Sequence, residues 1–233
     1  TGGIEALVQA IARPIDEFIT MDSPVTSVTR NGEGFLVRTG GREMKADRVV
    51  STIPLPSLLP CLTDVPPRVM EACRDLRSTA LLSVFIGLRG EVPPYSWVYV
   101  PSPEIGLFNR VSFPSNYSPA VTPPGHSSIL AEITCARDDP LFSTPDEGIV
   151  SHVLGGLARM GVLSDPGRVV FTAVERSPFA YVVYDLGYME KIGAVRGFCE
   201  GRGIHLVGRF SRFEYLNMDG VIRGAMDFVG GIA

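Results

Sequence analysis

The sequence predicts an α+β fold: a mixed or antiparallel sheet with covering helices. Two observations carry this. Strands come in runs, among them "TALLSVFIGLR" (79–89) and "SSILAEITC" (127–135). Helical segments stand apart from these runs and do not alternate strictly with single strands, as a chain of βαβ units would require. The chain has no internal repeat.

In chain order, "GGIEALVQAIARPI" places Ile4, Leu7, Val8 and Ile11 at helical spacing, with Pro14 as the stop. Val25–Thr29 alternates as a strand, "NGEG" is a turn that favours positive φ, and Phe35–Thr39 is the return strand. A third short strand leads into a buried strand at Arg48–Ile53, ended by Pro54 and Pro56. Short helical pieces occupy 57–76. Strands are expected at 79–89, at "SWVYVP", at "IGLFNRVSF" and at 127–135, with a loop over 114–126. "TPDEGIVSHVLGGLARMG" (144–161) reads as a helix capped by Thr144, with Pro145 in its first turn and Asp146 and Glu147 at the positive end of its dipole. A strand "GRVVFTAVERS", a helix "YMEKIGAVRGFCEGRG", a strand "IHLVGR" and a final helix "DGVIRGAMDFVGG" complete the pattern.

The composition is that of a globular protein: 233 residues, 45% hydrophobic and 20% charged. The net charge of −4 and the lack of a basic run argue against nucleic acid or an anionic membrane surface as partner. No apolar run approaches the roughly 20 residues of a membrane span. Cys61, Cys73, Cys135 and Cys199 form no CxxC and share no metal-ligand spacing with His126, His152 or His205, so they read as reduced, mostly buried thiols. The first residues lack the pattern of a signal peptide and carry no initiator Met, so the chain is expected to begin inside a longer protein.

Most catalytic motifs are absent. No G-x-G-x-x-G opens a helix, and the similar "GEGFLV" (32–37) lies in a hairpin, where no helix N-terminus can face a phosphate. There is no phosphate loop of the G-x-x-x-x-G-K-[ST] type, no H-E-x-x-H and no G-x-S-x-G. The three histidines read as structural. Asp138-Asp139 before Pro140 starts a turn, and no metal site is expected. Tyr181, Tyr184 and Tyr188 cluster in "SPFAYVVYDLGY", either as a packing corner or as a phenolic wall for a ring-shaped ligand.

The segment "HLVGRFSRFEYLNMDGVIRGAM" (205–226) is the most informative. A strand ending in Gly208-Arg209 allows close backbone approach, because Gly has no Cβ. Arg209 offers forked donors to an anion. Asp219 is placed to cap the final helix, whose first amides then face an acceptor. The spacing fits a phosphate-containing, partly aromatic ligand, and equally a plain strand–loop–helix corner with a surface Arg.

Residues 205–225, with "AYVVYDLGY" (180–188) and "ADRVVSTIPLPSLL" (46–59), resemble the flavin-dependent amine oxidase and protoporphyrinogen oxidase superfamily, above all its UDP-galactopyranose mutase-like branch. "GGIEALVQAIA" is similar to the segment that comes after the first part of the FAD domain there. The resemblance implies FAD as cofactor. It implies that Gly208 and Arg209 lie beside the pyrophosphate and ribityl chain. The amides of Asn217, Met218 and Asp219 would face the pyrimidine edge of the flavin. The backbone of Val28 would approach the adenine, and Thr52, Ile53 and Pro54 would pass near the cofactor. Tyr181, Tyr184 and Tyr215 would face a small-molecule substrate, with Tyr184 as the catalytic phenol.

The family's dinucleotide fingerprint is absent, as is the acid that holds the adenosine ribose. The resemblance therefore implies the C-terminal portion of a cytoplasmic FAD-dependent oxidoreductase, with the N-terminal FAD-binding half as a partner and the fragment alone inactive. Residues 1–55 and 200–233 would be the remnant of the FAD domain, without its N-terminal Rossmann unit, and 56–199 the substrate domain. Its chemistry would be amine oxidation or a nucleotide-sugar mutase reaction. The alternatives are a non-enzymatic binding module that keeps the fold without the cofactor, and a nucleotide-sugar-binding protein that uses the Arg209 region without flavin.

Overall fold

The computed structural model describes residues 3–232; Thr1, Gly2 and Ala233, which the expected FAD-domain segments include, lie outside the described residues. The elements run α1 (Glu5–Ala12), β1 (Val25–Asn31), β2 (Gly34–Thr39), β3 (Arg42–Ala46), β4 (Val49–Ser51), α2 (Leu55–Leu58), α3 (Pro67–Arg74), β5 (Ala80–Arg89), β6 (Trp97–Tyr99), β7 (Arg110–Ser112), α4 (Pro114–Tyr117), β8 (His126–Cys135), α5 (Asp146–Arg159), β9 (Val169–Ser177), α6 (Tyr188–Gly201), β10 (Ile204–Leu206) and α7 (Met218–Ile232). This is the α+β class expected. The chain divides into two compact units, residues 1–19 with 79–180, and residues 20–78 with 181–233. These limits lie elsewhere than the 55/56 and 199/200 boundaries drawn from the sequence, because α2, α3 and α6 share one core with β1 and β2.

The first unit is built on an antiparallel five-stranded sheet in the order β6-β7-β8-β5-β9. The period-two pattern of β5 buries Leu82, Val84, Ile86 and Leu88 on one face, with Phe85 exposed on the other. The buried face meets Ile149, Val153 and Leu157 of α5. The segment 105–108, expected as strand, is not one; β7 starts at Arg110. Its backbone is spent on α5 instead. Leu107 N donates to His152 Nε2 at 2.9 Å, and Ile105 O accepts from Arg159 Nε at 2.9 Å. His152 is thus structural. The loop expected over 114–126 contains the short α4 and a 3-10 turn at Pro119–Val121.

The entry of α5 also differs from expectation. Pro145 holds the cap position with no side-chain cap, and Thr144 Oγ1 donates back to Pro140 O at 3.3 Å. Arg176 of β9 takes over, with Nη2 donating to Thr144 O and Nη1 to Asp146 Oδ1, each at 2.6 Å. Asp139 does start its turn, accepting from Leu141 N at 2.8 Å.

The second unit holds the meander β1-β2-β3, whose first turn puts Gly32 at φ +62°, and a two-stranded sheet in which β4 and β10 run parallel. The strand expected over Arg48–Ile53 is shorter and less buried: β4 covers Val49–Ser51, with Val50 and Ile53 more than 40% exposed. The core joins Val28, Phe35, Leu55, Leu59, Ile192, Val195, Leu206 and Phe213. All four cysteines are free; Cys73, Cys135 and Cys199 are buried. Burial pushes the Cys73 thiol up to about 11 and the Cys199 thiol up to about 12, so both are protonated core groups at neutral pH.

Phe108, fully buried, tests this packing. A Cβ on Gly156 would stand 2.4 Å from its ring and 2.9 Å from Ile105 O. Gly156→Ala is expected to destabilise the protein by about 1–3 kcal/mol through overpacking. Gly193→Ala in α6, where no atom lies within 4 Å of the added carbon, should stabilise by up to about 1 kcal/mol. Urea-unfolding midpoints of the two variants check both signs.

Candidate functional site

The site grows from the parallel pair. Ile204, His205 and Leu206 align with Val49, Val50 and Ser51, and Val207 N extends the ladder to Ser51 O at 3.0 Å. Thr52–Pro54 and Gly208–Arg209 therefore leave the carboxyl ends of neighbouring parallel strands, the end where open α/β sheets place ligands. Pro54 O then accepts from Ser57 N and Leu58 N, which starts α2. Gly208 has φ +88°, a backbone state that favours glycine, and the chain curls at once: Gly208 O accepts from Arg212 N and Arg209 O from Glu214 N, both at 3.0 Å.

Arg209 is enclosed by rings. Its guanidinium lies 4.8 Å from the Tyr215 centroid, 5.1 Å from Tyr181 and 5.7 Å from Phe210, while Nη1 donates to Leu216 O at 3.1 Å. Tyr181 and Tyr215 stack at 5.9 Å. Tyr184 is 56% exposed; its Oη accepts from Tyr215 N at 2.6 Å, and its ring meets Tyr188 edge-on at 4.7 Å. The structure thus brings Tyr181, Tyr184, Tyr215 and Arg209 into one cluster. Val28 is placed differently: its side chain is buried in the core, and its backbone pairs with Val37 and bridges to Leu62.

The start of α7 calls for one correction. Helical residues begin at Met218, so Asp219 sits inside the first turn and the cap position falls to Asn217, whose carbonyl accepts from Val221 N at 3.0 Å. Asp219 still complements the positive end of the helix dipole. A cleft of about 450 Å³ lies between this helix and β10, lined among others by Leu206, Gly208, Arg212, Glu214, Val221 and Phe228.

The supporting network has almost no local signature in the sequence. Tyr188 Oη donates to Phe213 O at 2.6 Å, and burial pushes this phenol upward, which keeps it a donor. Arg196 Nη2 donates to Arg212 O and, at 2.6 Å, to Glu214 Oε1. Burial works against the Glu214 charge, but hydrogen bonds from Arg212 and Arg196 outweigh it and hold the carboxyl below the usual carboxylate range. A carboxylate inside the aromatic run "RFEY" was the available signal. Its partner Arg196 lies on another element and leaves no such mark. Ser51 Oγ and Ser211 Oγ are buried with no hydrogen-bond partner. Among the described residues no group of His, Cys, Asp and Glu could hold a metal ion.

Residues 1–225 match the sequence profile of the flavin containing amine oxidoreductases. The chain belongs to that family. No curated protein matches. Among solved structures, reduced UDP-galactopyranose mutase is 23% identical with a TM-score of 0.81, covering 97% of this chain and 51% of that one. A putative protoporphyrinogen oxidase from Exiguobacterium sp. 255-15 is 18% identical with a TM-score of 0.74, over 97% of this chain and 50% of that one. Putrescine oxidase bound to putrescine is 18% identical with a TM-score of 0.67, over 99% and 52%. These likenesses establish a shared fold, and the chain spans about half the length of the structures it matches. Among the described residues no helix is long and apolar enough to cross a membrane.

Two outcomes test the local geometry. A Cβ at Gly208 would meet only Val221 Cγ1, at 3.9 Å, so Gly208→Ala should cost about 1–2 kcal/mol through its positive φ alone, read from the unfolding midpoint. Glu214 has a folded value below its unfolded one. Its contribution is therefore fully present above the unfolded carboxylate range and disappears as pH falls through the folded value. Stability measured from pH 7 down to about 2 should fall less steeply in Glu214→Gln below about pH 4. Parallel curves would remove Glu214 from the acid response.

Proposed function

We propose that this chain is the C-terminal portion of a cytoplasmic FAD-dependent oxidoreductase, and that it holds the flavin once an N-terminal FAD-binding half completes the cleft. The single observation behind the reading is the juxtaposition at the carboxyl ends of β4 and β10. There a left-handed Gly208 turn leads, through a caged arginine, to the N-terminus of a 15-residue helix. The residues fit a flavin dinucleotide. Gly208 leaves room for close backbone approach, and the free amides opening α7 carry the positive end of its dipole.

In this reading Gly208 and Arg209 lie along the pyrophosphate and ribityl chain, and the strand end Thr52–Pro54 passes near the cofactor. The backbone of Val28 approaches the adenine. The amides around Asn217, Met218 and Asp219 stabilise negative charge at the pyrimidine edge. Bound flavin supplies the electron-transfer chemistry. The protein's part is to orient it and to build the substrate side. Tyr181 and Tyr215 offer ring faces to a small-molecule substrate. Tyr184 Oη already accepts a hydrogen bond from Tyr215 N, so its own O–H is left to donate to a substrate atom. Both amine oxidation and a nucleotide-sugar mutase reaction are compatible with this layout.

A second reading rests on the absent G-x-G-x-x-G: a binding module that keeps the fold without the cofactor. The two separate in a visible spectrum. A polypeptide that includes the sequence encoded upstream of Thr1 is expected to purify with flavin absorbance, and Arg209→Ala in it should weaken FAD retention about tenfold or more. A colourless longer protein that stays colourless with added FAD would leave only the binding module. Unchanged retention in the Arg209 variant would move Arg209 away from the cofactor.

A further inference from the structure

We propose that the groove between α3 and α6 is a homodimer interface: a second copy of this chain lays its own α6 into it, antiparallel, about a two-fold axis between Gly193 and Ala194. The inference is independent of the flavin reading, because every residue it uses lies on α3, on α6 or in the turn before α6.

The groove has a volume of about 800 Å³ and is lined by Val69 and Ala72 of α3 and by Gly193, Ala194, Gly197 and Phe198 of α6. Tyr188, Ile192, Val195 and Cys199 turn into the core, so Met189, Glu190, Gly193, Ala194, Gly197 and Glu200 make up the outward face of α6. Two large apolar side chains stand in solvent at its start: Leu186 is fully exposed and Met189 is 75% exposed. An added Cβ at Gly193, Gly197 or Gly201 would meet no atom within 4 Å, so packing inside the chain requires none of these glycines. Glycine is nonetheless a poor helix former.

Knobs and hollows alternate on this face so that it is complementary to itself. In an antiparallel pair centred between Gly193 and Ala194, Met189 falls opposite the partner's Phe198 and Leu186 opposite the partner's Gly201. A thioether against an aromatic ring is a favourable contact, and small residues at the crossing let two helix axes approach to about 8 Å. Charge supports the same register. Glu200 is exposed in the last turn of α6, at the negative end of its own helix dipole. In the pair it lies opposite the partner's Gly187, a cap position that makes no side-chain cap. Each copy thus brings a carboxylate to the positive end of the other's helix. Isologous two-fold pairs of this kind are the commonest oligomers.

Other occupants fit less well. The rim carries Glu71, Asp75 and Glu190 against Arg68 and Lys191, the wrong balance for an anionic lipid surface or a nucleic acid. Among the described residues, no buried polar atom without a partner belongs to a residue that lines the groove, so nothing there calls for a small polar ligand.

The test uses the full-length chain. Sedimentation over a concentration series should show a monomer–dimer equilibrium. Gly197→Glu fills a hollow and sets a carboxylate against the partner's Glu190, so it should weaken the dimer about tenfold or more. The same variant should keep or raise the unfolding midpoint of the monomer, since the position is open and Glu is the better helix former. Met189→Asp should also weaken the dimer, while Met44→Lys, exposed on β3 in the same unit, should leave it within about twofold. Ala194→Cys, beside the axis, should cross-link the two copies under a mild thiol oxidant. Glu200→Cys, roughly 20 Å along the helix from its own image, should not. The proposal is overturned by a chain that stays monomeric, by a dimer indifferent to Gly197→Glu and Met189→Asp, or by equal cross-linking of the two cysteine variants. A monomeric chain whose groove variants alter only its binding to another macromolecule rules out the second copy.

Discussion

The parallel register of Val49–Ser51 against Ile204–Leu206 is the constraint on which the second unit depends. Parallel strands cannot be joined by a tight turn. Here the connection contains all of residues 79–180, which form the body of the other compact unit. Closing so long a connection costs entropy, though the cost grows only slowly with length. It is offset by a core that draws from every part of the unit: Val28 and Phe35 from the meander, Leu55 and Leu59 after β4, Ile192 and Val195 from α6, and Leu206 and Phe213 at and beyond β10. If the register slipped by one residue, Leu206 would leave this core and Gly208 would no longer stand beside the end of β4.

The turn after β10 is held by side chains from elsewhere. Phe213 is buried and sits at φ +52°, a backbone state that costs a non-glycine residue on the order of 1–2 kcal/mol. Its carbonyl is taken by Tyr188, and the carbonyl beside it by Arg196. The same Arg196 anchors Glu214, which Arg212 also contacts. The turn is thus clamped at successive positions onto α6, and the aromatic cage around Arg209 has a rigid base. Tyr184 adds a further tie by accepting from Tyr215 N. A phenol that both positions a neighbour's backbone and stands exposed is suited to orienting a ligand, because its geometry is set before the ligand arrives.

Much of the fold was legible where local pattern and tertiary role coincide. Strands β5 and β8 show period two because one face of their sheet is a core. The first hairpin shows Asn31-Gly32 because its turn needs positive φ. The readings that failed share a cause. The segment 105–108 looks like a strand, yet its backbone groups bind His152 and Arg159. Thr144 looks like a helix cap, yet Arg176 from a distant strand organises that turn. Long-range side-chain-to-backbone bonds leave no periodic trace. The site divides the same way. Gly208 and the opening of α7 could be read because glycine and helix starts have local chemistry, whereas the Arg196–Glu214 pair joins elements that only the fold brings together.

One conflict between local sequence and local burial persists. α1 with its preceding residue sets Ile4, Leu7, Val8 and Ile11 on one face and buries none of them, and α7 leaves four apolar residues open. Periodicity of this quality normally marks a face that is covered, since natural sequences agree with their folds at each level. A solvated helix has no need of an apolar stripe at regular spacing, and scattered surface apolar residues would not fall into register. In α7 the conflict coincides with a parallel sheet that has two strands among the described residues.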